Sequence, residues 1–190
     1  MAAAEDPTDL DFTFLFAKKE VVPPTPEQKA KIEADALIGA NEVTRGGFCV
    51  SMTRPGLRQT LIPPGRSVRV LVVEDEPITS MLLQKVLTAA GFSASAAGSG
   101  KEVVERLRTP PLPDLILMDV MLPDIEGFKI VERIRQHKVI GEIPVVMVSG
   151  RAEMSDIQRG FEAGADGYVT KPAKREALLG VINQILKGEI

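Results

Sequence analysis

Three short apolar runs, Val70-Leu71-Val72-Val73, Leu115-Ile116-Leu117-Met118 and Val145-Val146-Met147-Val148, each stop at a polar residue. A strand with one wet face would alternate apolar with polar, so uninterrupted runs imply cover on both faces, the pattern of a parallel sheet. A parallel sheet needs helical crossovers, and the sequence supplies them. Past the breaker cluster Ile62-Pro63-Pro64-Gly65-Arg66-Ser67, the pattern predicts strands at about 68–73, 92–97, 114–119, 143–149 and 166–170. Amphipathic helices are predicted at about 77–90, 100–108, 127–138, 153–163 and 173–187. Gly91, Gly164, Gly167 and the segment Pro110-Pro111-Leu112-Pro113 mark the joints. Five β/α pairs make an α/β domain over 67–190, with residues 1–66 as an N-terminal extension.

At 190 residues and 44% hydrophobic content, the chain can bury one core plus an appendage. Its net charge of −3 gives no overall attraction to nucleic acid or to an anionic membrane. A single cysteine, Cys49, and a single histidine, His137, exclude an internal disulfide framework and a Cys/His metal site. The acidic start Met-Ala-Ala-Ala-Glu-Asp is unlike a signal peptide, and no apolar run reaches the roughly 20 residues of a membrane span. A soluble, cytoplasmic protein is expected.

The extension carries half of the 14 prolines and divides by charge, acidic over 1–42 and basic over 43–66. Thr25-Pro26-Glu27-Gln28 has the form of a capping box, predicting a helix over about 26–44 with Ala30, Ala34, Leu37 and Ile38 on its apolar face. Phe48, Val50 and Met52 alternate with polar neighbours, and Pro55-Gly56 turns the chain toward 57–62, which predicts a hairpin. Phe12, Phe14 and Phe16 form a short apolar segment suited to strand addition or to a groove, against the plainer reading of a poorly ordered tail.

The polar residues that end the strands carry the chemistry. In a parallel α/β sheet, ligands bind beyond the carboxyl ends of the strands, near the point where strand order reverses. That rule gathers Glu74 and Asp75 after the first strand, Asp119 after the third, Ser149 after the fourth and Lys171 after the fifth. Taken singly, each has a plainer reading: a helix-cap signal for Glu74-Asp75, an Asx turn for Asp119, a solvated head for Lys171. Placement at successive strand ends favours one shared site. Three carboxylates in a crevice call for a hard divalent cation, and Mg²⁺ fits because it takes one or two carboxylates plus a phosphate oxygen. Lys171 and the metal would neutralise a phosphoryl group while Ser149 hydrogen-bonds it, so the chemistry that fits is attack of a carboxylate on phosphorus.

These residues resemble the receiver domains of two-component response regulators, the single-domain chemotaxis type included. The resemblance spans roughly 68–187 and rests on Leu71-Val72-Val73-Glu74-Asp75-Glu76-Pro77, Asp119-Val120-Met121-Leu122-Pro123 with Gly127, Ser149-Gly150 and Lys171-Pro172. It implies a flavodoxin-like (βα)5 fold with a five-stranded parallel sheet in the order 2-1-3-4-5. It further implies that Asp119 accepts a phosphoryl group from a sensor histidine kinase or phosphotransfer protein. Asp75 and Asp119 would ligate Mg²⁺ with the Met121 backbone carbonyl, and Glu74 would act through water. Ser149 would be the switch hydroxyl, Tyr168 the rotating aromatic that repacks the face of the fourth helix, fifth strand and fifth helix, and Lys171-Pro172 a cis peptide. Met121 and Arg151, each two residues past a key group, would tune the lifetime of the acyl phosphate. The extension resembles no family.

No effector pattern is evident, so output is expected through protein contacts, with the downstream target and a homodimer left open. The chain would act as an enzyme only on its own acyl phosphate. Two other readings stand beside this one. A Mg²⁺-dependent phosphohydrolase would use Asp119 on external substrates, but such enzymes commonly carry an aspartate where this chain has Met121. A nucleic-acid binder would use Arg45, Arg54, Arg58, Arg66 and Arg69, which lack a stacking platform beyond Phe48 and are read as a solvated basic face, so nucleic acid is disfavoured.

Overall fold

The computed structural model describes residues 49–51, 65–151 and 153–187. Six strands, β1 (Cys49–Ser51), β2 (Arg69–Val73), β3 (Ser93–Ala97), β4 (Leu115–Met118), β5 (Val145–Ser149) and β6 (Gly167–Thr170), form one sheet in the order β1-β6-β5-β4-β2-β3. Five of them are parallel, and counted from β2 their order is the expected 2-1-3-4-5. Helices α1 (Pro77–Ala89), α2 (Gly100–Arg108), α3 (Gly127–Arg135), α4 (Met154–Glu162) and α5 (Arg175–Lys187) follow the parallel strands in turn.

The apolar runs are covered on both faces because alternate residues of each strand point to opposite sides of the sheet. Val70, Val72, Leu115, Leu117, Val146 and Val148 pack with Leu83 and Leu87 of α1 and Leu178, Val181 and Ile182 of α5. Leu71, Val73, Ile116, Met118 and Met147 pack on the other side with Val103, Leu107, Phe128, Val131, Ile134 and Phe161 from α2, α3 and α4. Each fully buried Leu, Ile or Val contributes about 2 kcal/mol of burial energy. These two layers hold the carboxyl ends of the strands level with one another.

Three local features differ from the sequence reading. The helix predicted over 127–138 ends at Arg135, because the His137 ring takes up the chain: its Nδ1 accepts from the Val139 and Ile140 amides at 3.1 and 3.4 Å. The cap of α1 is Glu76, whose carboxylate accepts from the Ile78 and Thr79 amides, and not the Glu74-Asp75 pair. The third is the placement of β1: it falls in the predicted first arm of the hairpin, but it lies antiparallel on β6, a pairing the sequence reading did not anticipate. The predicted helix over 26–44, the Phe12–Phe16 segment and the 57–62 arm of the hairpin lie outside the described residues.

At the amino end of the sheet, Asp114 collects five hydrogen bonds from two arginines. Arg66 Nη1 and Nη2 donate at 2.7 and 3.0 Å, Arg69 Nε and Nη2 at 3.2 and 3.1 Å, and the Arg69 amide at 2.8 Å. Burial alone would raise the Asp114 carboxyl, but the hydrogen bonds from Arg66 and Arg69 outweigh it and hold its pKa down at about 2. Two of the five arginines considered for nucleic acid, Arg66 and Arg69, are therefore paired with Asp114. Asp114→Asn is expected to lower unfolding stability by about 2 kcal/mol at neutral pH. The contribution is complete above the unfolded aspartate pKa of about 3.9, so the gap to wild type should shrink as pH falls from about 4 toward about 2. Urea denaturation of both proteins at each pH measures this, and a gap that stays constant in acid would refute it.

Candidate functional site at the carboxyl edge of the sheet

Three of the residues named from the sequence sit one step past a strand, and the last bonds of the sheet ladder fix all three. The Glu74 amide donates to the Ala97 carbonyl and the Asp119 amide to the Val73 carbonyl, both at 2.9 Å, while the Lys171 amide donates to the Ser149 carbonyl at 2.7 Å. The backbone at this edge thus belongs to the rigid sheet although the side chains project beyond it. Carboxylate oxygens of Glu74, Asp75 and Asp119 come within 4.8 Å of one another. Glu74 and Asp119 are buried, and Asp75 is exposed.

The Lys171 ammonium bridges the two buried acids, 2.7 Å from Asp119 Oδ2 and 2.5 Å from Glu74 Oε2. Burial works against the Lys171 charge, but its bonds to Asp119 and Glu74 prevail and raise its pKa. Glu74 is raised as well, chiefly by burial, which Lys171 only partly offsets. The other Asp119 oxygen, Oδ1, accepts from the Met121 amide over a long 3.3 Å. Three hard oxygen donors with one compensating ammonium leave excess negative charge, and that donor set suits a hard divalent cation.

The loop after Asp119 is shaped to keep that side chain in place. Met121 and Glu126 form an isolated antiparallel bridge, and Asp124 accepts from the Gly100 and Lys101 amides at the start of α2. Gly127 opens α3 so close to Asp119 that a Cβ there would lie 2.0 Å from the Asp119 carbonyl oxygen. Only glycine allows that approach.

On the other flank, Ser149 is buried, and its Oγ accepts from the Arg151 amide at 3.2 Å. The ring of Tyr168 is fully buried, and its hydroxyl donates to the Arg151 carbonyl at 2.9 Å. Arg151 also reaches across the mouth of the site, Nη2 lying 3.1 Å from Met121 Sδ and Nη1 3.4 Å from Asp156 Oδ1. The Lys171-Pro172 peptide is cis. The structure therefore brings Glu74, Asp75, Asp119, Met121, Ser149, Arg151, Tyr168 and Lys171 to one neighbourhood. The sequence reading missed Gly160 of α4, where a Cβ would lie 3.0 Å from Tyr168 Cδ2. A glycine inside an amphipathic helix, about 1 kcal/mol worse than alanine there, was the available signal of a packing need.

The family model of the response regulator receiver domain matches residues 70–183. The chain belongs to this family. Over 119 residues it is 34% identical to the DNA-binding dual master transcriptional regulator RpaA of Synechocystis, covering 63% of this chain and 49% of that relative. It is 37% identical to the phosphate regulon transcriptional regulatory protein PhoB of Rhizobium meliloti, covering 63% and 52%. The chain spans about half the length of these relatives. A response regulator structure from Chloroflexus aurantiacus superposes with a TM-score of 0.61 at 33% identity over 64% of this chain and 98% of that one. The chemotaxis protein CheY4 of Vibrio cholerae gives 0.60 at 26% identity over 64% and 100%. Among the described residues, no helix of this receiver is long and apolar enough to cross a membrane.

Gly127→Ala is expected to destabilise the receiver by about 2–3 kcal/mol, since a backbone atom blocks the new methyl group. Gly150→Ala, where a Cβ meets nothing within 4 Å, should change stability by less than about 0.5 kcal/mol. Thermal melting of the two variants separates them, and equal melting temperatures would contradict the close approach.

Proposed function

We propose that this receiver takes a phosphoryl group onto Asp119 from a histidine kinase or phosphotransfer protein and signals through the change in packing that follows. The observation that carries the reading is the pairing of Asp119 with Lys171 at 2.7 Å inside a cluster of carboxylates. One Asp119 oxygen attacks phosphorus, the bond from phosphorus to the donor's nitrogen breaks, and the electron pair leaves with the donor. Lys171 holds the carboxylate in place and neutralises charge on the incoming group. Mg²⁺, when bound, would offset negative charge on the phosphoryl oxygens. Asp75, Asp119 and the Met121 carbonyl would hold it, and Glu74, engaged by Lys171, would act through water.

Beside the crevice, α1 exposes Ile78, Met81 and Leu82. An apolar patch next to a reactive carboxylate suits the docking of the phosphodonor. The phosphoryl group adds about −1.5 to −2 charge, drawing the Ser149 hydroxyl toward it and favouring a buried Tyr168 ring behind it. The change is then read on α4, β6 and α5 by a partner protein. Relatives with transcriptional names share only about half their length with this chain. A nucleic-acid reading is weakened by the commitment of Arg66 and Arg69 to Asp114, while Arg45, Arg54 and Arg58 lie outside the described residues.

Incubation with acetyl phosphate and Mg²⁺ should add one phosphoryl mass to the wild-type chain and none to Asp119→Asn, and chelation of Mg²⁺ should abolish the adduct. An adduct on the Asn variant would move the acceptor elsewhere. The contact between Met121 and Arg151 over the mouth of the site shields the acyl phosphate from water on this reading. The Met121→Ala/Arg151→Ala double variant is expected to lose its phosphate about tenfold faster, corresponding to about 1.4 kcal/mol. An unchanged or longer lifetime would remove shielding from the account.

A further inference from the structure

The sheet edge beside Tyr168 already has an occupant. β1 pairs antiparallel with β6, Cys49 opposite Val169, Val50 opposite Tyr168 and Ser51 opposite Gly167, and α5 lies alongside. Without β1, the outer backbone groups of β6 would form an open edge, a template for any added strand. A three-residue strand has negligible stability alone, so its place on the sheet depends on what β6 presents.

What β6 presents opposite Val50 is Tyr168. The Tyr168 ring is buried against Gly160, where a Cβ would lie 3.0 Å from Cδ2 and 3.2 Å from Cε2. Its hydroxyl is held by the carbonyl of Arg151, whose amide donates to Ser149 Oγ. The residue that pairs with the centre of β1 is thus two hydrogen bonds from the hydroxyl beside Asp119.

We propose that residues 49–51 are an intramolecular strand ligand of the β6 edge, and that their pairing is coupled through Tyr168 to modification of Asp119. The coupling rests on the receiver reading above. In the structure, a paired β1 and a buried Tyr168 occur together, and modification favours the buried ring. A phosphoryl group on Asp119 therefore tightens β1 on the edge, and by reciprocity loss of β1 weakens the modified state. A partner that adds a strand to this edge has to displace β1.

Tyr168 is the one tyrosine of a chain without tryptophan, so tyrosine fluorescence reports on this position alone. The full-length chain is titrated with beryllofluoride in Mg²⁺ as wild type, Val50→Pro and Val50→Thr. Proline breaks the strand, whereas threonine keeps its propensity. Val50→Pro is expected to weaken the apparent beryllofluoride affinity about fivefold or more, with Val50→Thr close to wild type. Amide exchange of 49–51 and 167–169 in wild type should slow on saturation. Equal midpoints in all three proteins, or unchanged exchange in saturated wild type, would overturn the coupling and leave phosphoacceptance standing. If the wild type responds to neither beryllofluoride nor acetyl phosphate, the receiver reading fails and this coupling falls with it.

Discussion

Two buried carboxylates share one ammonium at the carboxyl edge of the sheet with a third carboxylate close by at the surface, and the rest of the site is arranged around that imbalance. Like charges at 4.8 Å repel by about 3 kcal/mol at an effective dielectric constant near 20. Lys171, in contact with Glu74 and Asp119 at once, offsets the two that water screens least. Asp75 remains in solvent, where screening is greatest. The site therefore keeps surplus negative charge, which suits a hard divalent cation.

Such an arrangement tolerates little slack, and the fold supplies rigidity from both ends. At the carboxyl edge, ladder bonds fix the backbones of Glu74, Asp119 and Lys171. Below them, Asp166 is fully buried, accepting from the Val145 amide at 2.8 Å and from Arg135 Nη2 at 2.7 Å. Arg135 donates in turn to the carbonyls of Gly141, Ile143 and Gly164. A buried ion pair of this kind is weak evidence for net stability, but it fixes the register of β5 against β6. Ser149 and Tyr168 depend on that register, since they sit on those two strands.

The parallel core was legible because period and chemistry agree: runs such as Val145–Val148 must be covered on both faces, and each stops where a polar side chain is useful. The acidic cluster was legible for the same reason, as Glu74, Asp75, Asp119 and Lys171 stand at strand ends that the topology forces together. What remained hidden depends on contacts distant in sequence. β1 pairs with a strand more than a hundred residues away, and nothing local in Cys49–Ser51 encodes that partner. The α1 cap is a local exception: Glu76 stays extended just before the helix, so its carboxylate, and not that of Glu74 or Asp75, accepts from the Ile78 and Thr79 amides. The role of Gly160 exists only once the Tyr168 ring lies against it.

On the proposed reading, the same geometry suits signalling more than turnover of external substrates. Hydrolysis of an acyl phosphate needs a water and a group positioned to take its proton. The one histidine of the chain, His137, stands at the end of α3 with Nδ1 occupied by the Val139 and Ile140 amides. Glu74 is engaged by Lys171, and the position two residues past the acceptor, where phosphohydrolases commonly place a second aspartate, holds Met121. Its sulfur meets the Arg151 guanidinium across the approach to Asp119. On the proposed reading, an acyl phosphate on Asp119 would lie behind this contact between Met121 and Arg151. The energy of the proposed modification would then serve to hold Tyr168 and the strands beside it in one state.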